Sequence, residues 1–217
     1  MEWPGITLSR TLNQDLVPSR HTIADAAKRY DWARLLELLS RHGGMINVSR
    51  IDGKAWYAPL HQAAHGGAPV DVVERLIRLG AWRTLRNAAG ERPVDVAARR
   101  GHPHLLGILE PVHEHRVPQE TVLAIQSHFH AVIRGRADEL VREHELRLPE
   151  LEPLLELDEP EMWFPVPGMY GGFKYRLDLH GGETKLISES WCRVVGGSGQ
   201  RHEITAAGSQ LVHEGFV

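Results

Sequence analysis

The sequence of 217 residues contains one cysteine, Cys192, and no long apolar run. A single cysteine excludes an intrachain disulfide and any metal cluster that needs several cysteines. No stretch approaches the roughly 18 apolar residues that a membrane helix needs, and residues 1–20 lack the apolar core of a signal peptide. These absences predict a soluble, cytoplasmic protein with no membrane partner.

A dense basic surface is also missing. Residues 1–117 carry 16 Lys and Arg against 12 Asp and Glu, a net charge of +4, whereas residues 118–217 carry 9 against 16, a net charge of −7. Neither half has the basic footprint of a nucleic-acid-binding protein, so we expect no nucleic-acid partner. The hydrophobic content of 42% is that of a folded protein, and the length allows two domains.

Pairs of alanines recur along the first half of the chain. Ala26-Ala27, Ala63-Ala64 and Ala97-Ala98 are spaced by 37 and 34 residues. Each pair is followed by a short break and an amphipathic stretch, at residues 32–39, 70–79 and 104–109. Each unit is therefore typical of a helix, a tight turn and a second helix, in which the small alanines let neighbouring helices approach.

The middle unit is the most regular of the three. It contains Ala58-Pro59-Leu60-His61, then Ala63-Ala64, and it ends at Gly80-Ala81. This pattern resembles the ankyrin repeat. The third unit repeats it in eroded form, and the first, with neither proline nor histidine at these places, resembles an N-terminal capping repeat. The residues predicted to be structural in the repeat are Pro59, Leu60, His61, Gly80, Gly90 and Pro93.

Elementary stereochemistry explains most of these structural positions. The two prolines suit the first position of a helix, and the two glycines suit turns with a left-handed backbone.

The resemblance implies that His61 hydrogen-bonds between neighbouring turns. It also implies that the stack binds another protein through its hairpin tips and the concave faces of its first helices. The residues predicted to bind a partner are Lys54, Trp56, Tyr57, Gln62, His65, Trp82, Arg83, Arg86 and Glu91. The alternative for Trp56 and Trp82 is local packing between repeats or against the second domain.

The second half has a different pattern. Apolar residues with helical spacing begin at Thr121 and stop at Gly135, and a second helix is predicted over about 137–144. Residues 148–157 form either a third short helix or an acidic connection. Four strands follow, at residues 173–179, 186–195, 201–206 and 210–217, separated by glycine turns.

These patterns predict a short ankyrin-repeat stack followed by an α+β domain with helices on a curved antiparallel sheet. The predicted boundaries are an N-terminal extension at 1–20, about three repeats at 21–112, a linker at 113–118 and the α+β domain at 119–217. The element order of this domain resembles the cone-shaped fold of nuclear-transport-factor-like and polyketide-cyclase-like proteins. That resemblance implies a cavity for a small ligand or a dimer partner.

An alternative interpretation is that the cone-shaped C-terminal domain is a small-molecule-binding or lyase/isomerase-type enzyme domain. Only this alternative requires catalytic residues. They are His128, Tyr175, His202 and Glu203, which could pair as general acid and base. In the competing interpretation the aromatic residues pack the core and Glu203 pairs with Arg193 on the outer face. His128 and His130 are two apart on a predicted helix and diverge, so we expect no metal and no cofactor.

Three functions compete at this point. The first is a protein–protein interaction module whose C-terminal domain supports, dimerises or extends the binding surface. The second is a small-molecule enzyme or sensor, in which the C-terminal domain carries the function and the repeats are accessory. The third is an immunity protein that neutralises a toxin. The first accounts for more of the sequence, which favours a binding protein over an enzyme.

Overall fold

A computed structural model of the protein describes residues 1–180, 182–193 and 197–215. The chain forms two compact units, one made of Thr7–Val112 and the other of Met1–Ile6 together with His113–Val217. The first six residues, which the sequence placed in an N-terminal extension, thus belong to the C-terminal unit. The predicted strand ends at 194–195 and 216–217, and the turn residues Gly181 and Gly196, lie outside the described residues.

The first unit is a stack of paired helices. The pairs are α1 (Val17–Lys28) with α2 (Trp32–Arg41), α3 (Pro59–Gly66) with α4 (Val70–Arg78), and α5 (Pro93–Arg100) with α6 (Leu106–Leu109). Short 3-10 turns lie at Gly43–Met45 and Pro103–Leu105. We refer to α1, α3 and α5 as the inner helices.

The alanine pairs lie where the helices pack. Five of the six alanines are at most 1% exposed, and Ala98, the sixth, faces solvent. Leucines of the outer helices, such as Leu39 and Leu76, complete one continuous apolar core. Pro59 and Pro93 are the first residues of α3 and α5, where a proline costs no helical hydrogen bond.

The second unit combines one long helix with one sheet. Helix α7 runs from Gln119 to Glu143, and a 3-10 turn at Glu152–Glu156 leads to the sheet. The break predicted at Gly135 is found two residues later, as a kink: α7 has non-helical backbone angles at Ala137 (φ −148°, ψ 30°), which divide it into two helical halves.

The sheet is an antiparallel meander of five strands in chain order. The strands are β1 (Glu161–Val166), β2 (Gly171–Asp178), β3 (Lys185–Cys192), β4 (Ser198–Thr205) and β5 (Gly208–Gly215). The sequence predicted four, because β1 is short and contains Pro165. Backbone hydrogen bonds to the N-terminal residues stabilise β1. The N–H of Trp3 donates to the carbonyl of Trp163, and the N–H of Trp163 donates to the carbonyl of Met1, both at 2.8 Å.

Aromatic rings fill the space between α7 and the sheet. Phe129 of α7 lies 5.0 Å from the ring of Tyr175 and 6.3 Å from that of Phe173, and all three side chains are fully buried. The fold is therefore a helical stack joined to an α+β unit. No helix among the described residues is both long enough and apolar enough to cross a membrane.

Candidate functional site

The three inner helices end in the same way. The third residue after each alanine pair has a left-handed backbone: Tyr30 (φ 60°), Gly67 (φ 62°) and Gly101 (φ 75°). Glycine adopts this conformation freely, whereas for tyrosine it costs about 1–3 kcal/mol. Tyr30 must therefore be held in place by other contacts.

Two contacts from the next repeat hold Tyr30. Its hydroxyl is hydrogen-bonded to Nδ1 of His65 at 2.8 Å. Its ring lies against Gly66, where an added Cβ would come within 2.5 Å of the ring. The close approach of the ring thus depends on the absence of a side chain at Gly66.

Tyr57 extends this cluster towards the hairpin tips. Its ring meets that of His65 edge-on, with 5.9 Å between centroids, and its hydroxyl accepts a hydrogen bond from Arg99 at 3.1 Å. Arg99 also donates to Glu91 at 2.6 Å. We call Tyr30, Tyr57, His65, Glu91 and Arg99 the Tyr-His face. A groove of about 520 Å³ adjoins it, lined by Ala55, Tyr57, Asn87, Ala88, Ala89, Glu91 and Arg99.

The electrostatics of the Tyr-His face follow from these contacts. Burial lowers the pKa of His65, and the cations Arg100 and Arg99 lower it further. Hydrogen bonds from Arg99 and Asn87 lower the pKa of Glu91. At neutral pH the face therefore combines an uncharged His65 with the ion pair of Glu91 and Arg99.

His61 lies under this face and is fully buried. The backbone N–H of Ala58 donates to its Nδ1 at 3.4 Å, and its Nε2 lies 3.2 Å from the carbonyl oxygen of Glu91. With Nδ1 accepting, Nε2 carries the proton and donates to that carbonyl. Both ring nitrogens are engaged by backbone groups of two neighbouring repeats.

Most of the predicted partner-binding residues reach the surface. Lys54 is exposed, and Trp56, Tyr57, Gln62, His65, Arg83, Arg86 and Glu91 are half-buried. Two of the arginines contact backbone carbonyls of their own unit: Arg83 donates to Ile108 at 3.0 Å, and Arg86 donates to Gly90 at 2.8 Å.

Trp82 requires a correction. Its side chain is only 3% exposed, so it is not on a binding surface. Buried Asn47 holds the chain here, because its amide donates to the carbonyl of Gly80 at 2.8 Å and its oxygen accepts from the N–H of Trp82 at 2.9 Å. Trp82 thus follows the alternative of local packing.

Sequence reasoning missed several residues around the Tyr-His face. Aligning the three alanine pairs would have found them, because Lys28, His65 and Arg99 each follow a pair directly. The missed residues, all exposed, are Lys28, Arg29, Tyr30, Arg99 and Arg100.

Three of the four candidate catalytic residues of the second unit, Tyr175, His202 and Glu203, are not brought together. Tyr175 is fully buried, and its hydroxyl contacts the sulfur of Met162 at 3.4 Å. Ser188 of β3 lies between Tyr175 and His202 in the sheet register, which separates those two residues by about two strand spacings, or roughly 10 Å. They are too far apart to exchange a proton directly.

The other two candidates are divided as well. Adjacent strand residues point to opposite faces, so Glu203 lies on the face opposite to His202. Glu203 pairs with Lys185 at 3.3 Å and not, as the competing interpretation expected, with Arg193. His128 is half-buried on α7. The predicted acid–base pair of His202 and Glu203 therefore cannot act at one point.

The outer face of the sheet has an aromatic pair of its own. Trp163 and Trp191 stack with 4.6 Å between ring centroids and 19° between planes. A groove of about 600 Å³ lies beside Trp191, lined by Glu189, Ser190, Trp191, Gly199, Gln200, Arg201, Glu203, Val212 and His213. Within the described ranges, no group of three or more His, Cys, Asp or Glu side chains could hold a metal ion.

Comparison with known proteins finds relatives for part of the chain. The chain is 40% identical over 77 residues to human cyclin-dependent kinase 4 inhibitor B, covering 36% of this chain and 54% of the relative. The bovine protein of that name is 40% identical over 70 residues, covering 32% and 51%. Squamosa promoter-binding-like protein 6 of Oryza sativa subsp. japonica is 32% identical over 88 residues, covering 37% and 9%.

The chain thus spans about half the length of the two kinase inhibitors. No protein-family model matches it. The similarity to the inhibitors fits the helical stack of the first unit. Together, the repeated helix pairs and these relatives identify an ankyrin-repeat segment in this chain.

Proposed function

We propose that the ankyrin-repeat segment binds another protein through the Tyr-His face and the adjoining groove. The observation that carries this proposal is the joining of Tyr30, His65 and Tyr57 from successive repeats into one accessible cluster. Tyrosine and arginine are enriched where protein interfaces bind most strongly, because each combines a large contact area with hydrogen-bonding groups. The relatives support the same class of function, since two of them are named as inhibitors of a protein kinase.

Purified cyclin-dependent kinase 4 is the first partner to test, by isothermal titration with the full chain. Proteins captured by the immobilised chain from a lysate are then purified and titrated in the same way. The double variant Tyr57→Ala/His65→Ala removes two members of the face, and Arg78→Ala on the outer helix α4 is the matched control. Thermal unfolding of each variant verifies that it is folded.

A partner whose affinity falls at least tenfold with the double variant and less than twofold with the control supports the proposal. Equal affinities for the chain and both variants, across every purified partner, would overturn it. The kinase alone does not decide the matter, because the chain spans only about half of the inhibitors named for it.

The C-terminal unit has no function assigned by its site geometry. Its predicted roles, to support, dimerise or extend the binding surface, stay predictions, as does its resemblance to the cone-shaped fold. Sedimentation of the full chain tests the homodimer. The enzymatic alternative loses the pairing of His202 with Tyr175 or with Glu203. The alternative of an immunity protein rests on no observation beyond the binding module itself.

A further inference from the structure

Exposed cations stand at both ends of the row of inner helices. Lys28 and Arg29 follow the alanine pair of α1, and Arg99 and Arg100 follow that of α5. Arg99 is paired with Glu91, whereas Lys28 and Arg100 have no carboxylate within ion-pair distance in the described part of the chain. Helix α3 comes between the two pairs of cations, and its uncharged His65 is hydrogen-bonded to the Tyr30 hydroxyl. The carboxylate of Asp31, the residue after Tyr30, accepts a hydrogen bond from the N–H of Arg34 at the start of α2.

The positive charge of this row affects the pKa of a neighbouring side chain. Arg100 and Arg99 are the largest electrostatic causes of the lowered pKa of His65, after burial. The C-terminal ends of the helices carry partial negative charge, which favours cations there but is much weaker than the full charges of the side chains. The row therefore stays attractive to an anion.

We propose that this row binds an acidic segment of a partner polypeptide. Its carboxylates pair with Lys28 and Arg29 at one end and with Arg100 at the other, while its middle lies over Tyr30 and His65. This inference deepens the proposed function by naming the chemistry of the partner. Neighbouring helices pack about 8–10 Å apart, so α1 and α5 are separated by roughly 16–20 Å. An extended segment of about five or six residues spans that distance.

A polypeptide fits the row better than a nucleic acid does. Nearby carboxylates, Asp25 beside Arg50 and Glu91 beside Arg99, are ionised at neutral pH and have lowered pKa values. Double-stranded DNA presents about one negative charge per 1.7 Å and would meet both carboxylates, whereas an acidic peptide can place uncharged residues opposite them. A nucleic acid is therefore an outcome of the test and not part of the proposal.

The probe is a fluorescent peptide of six glutamates, titrated with the full chain at low and at physiological salt. The test variant is Lys28→Glu/Arg29→Glu/Arg100→Glu. The control, Arg41→Glu/Arg75→Glu/Arg78→Glu on the outer helices α2 and α4, has the same change in net charge. A second test variant, with glutamine at the three row positions, serves if charge reversal disturbs folding.

We expect salt-sensitive binding that falls at least tenfold in either row variant and less than threefold in the control. Equal loss in the control would reduce the effect to net charge and overturn the proposal. So would the absence of binding to the unmodified chain, or tighter binding of a single-stranded oligonucleotide of equal charge. If the row variants leave a true partner's affinity unchanged while Tyr57→Ala/His65→Ala lowers it, this inference fails and the proposed function stands.

Discussion

The hydroxyl of Tyr30 lies 2.8 Å from Nδ1 of His65, which ties the end of α1 to the helix of the next repeat. Tyr30 occupies the left-handed position that glycine fills at Gly67 and Gly101. A glycine there would remove the backbone strain, but it would also remove the ring that covers Gly66. In the first repeat, the contact of the Tyr30 ring with the next repeat therefore offsets the backbone strain at Tyr30.

The closeness of Tyr30 and Gly66 gives a stability prediction. Gly66→Ala is expected to lower the free energy of unfolding by about 1–3 kcal/mol, because the new Cβ displaces the Tyr30 ring. In a Tyr30→Ala background the same change should be neutral or stabilising, because alanine is the better helix former by about 1 kcal/mol. Chemical denaturation of the four proteins in this double-mutant cycle measures the coupling.

Gly107→Ala on α6 is the matched control, since nothing lies within 4 Å of a Cβ built there. It should not destabilise the protein. Equal effects of Gly66→Ala with and without Tyr30 would contradict the packing described for this pair.

Trp82 is expected to act on stability and not on recognition. Its side chain is buried, so Trp82→Ala should lower the free energy of unfolding by about 3–5 kcal/mol. Lys54→Ala, at an exposed position of the neighbouring tip, should change it by less than about 0.5 kcal/mol. Thermal and denaturant unfolding measure both, and a Trp82→Ala protein of unchanged stability would show that the indole lies on the surface.

Tyr175 is expected to contribute through its ring and not its hydroxyl. The hydroxyl contacts a weak acceptor, the sulfur of Met162, so Tyr175→Phe should change the free energy of unfolding by less than about 1 kcal/mol. Tyr175→Ala removes the ring that packs on Phe129 and should cost about 3–5 kcal/mol. Denaturant titrations compare the two variants, and a severe loss in Tyr175→Phe would point to a polar role for the hydroxyl.

His130 gives a prediction for pH dependence. Burial lowers its pKa below the ordinary value of 6.5, and its Nε2–H donates to the carbonyl of Pro149 at 2.7 Å, which opposes but does not cancel that effect. The unfolded chain therefore binds the proton more readily, so this contribution to stability is complete above pH 6.5 and declines as the pH falls towards the folded-state pKa. His65 and His202, whose pKa values are also lowered by burial, act in the same direction.

Unfolding free energies measured from pH 7.5 to pH 5.5 should fall less steeply in His130→Gln than in the unmodified chain. His113→Gln, at an exposed side chain, is the control for the loss of a histidine. A steeper slope in His130→Gln would reverse the sign argued here.

The helices of the repeats were predicted from the sequence more accurately than the strands of the second unit. The recurring alanine pairs and Pro59 encode local geometry, and a helix that begins at a proline needs no distant partner to be recognised. Strand β1 was not predicted, because it is stabilised by backbone pairing with Met1 and Trp3, which lie about 160 residues away in the chain. No local pattern reports such a pairing.

Local pattern alone thus determined the helix pairs, the buried alanines and the presence of a strand-rich second half, because periodicity and turn chemistry act over a few residues. Only the tertiary structure decided which side chains meet. It buried Trp82, placed His202 and Glu203 on opposite faces of the sheet, and joined Tyr30 to His65. The physical reason is that exposure and contact depend on which elements pack together, and packing is set by the whole chain.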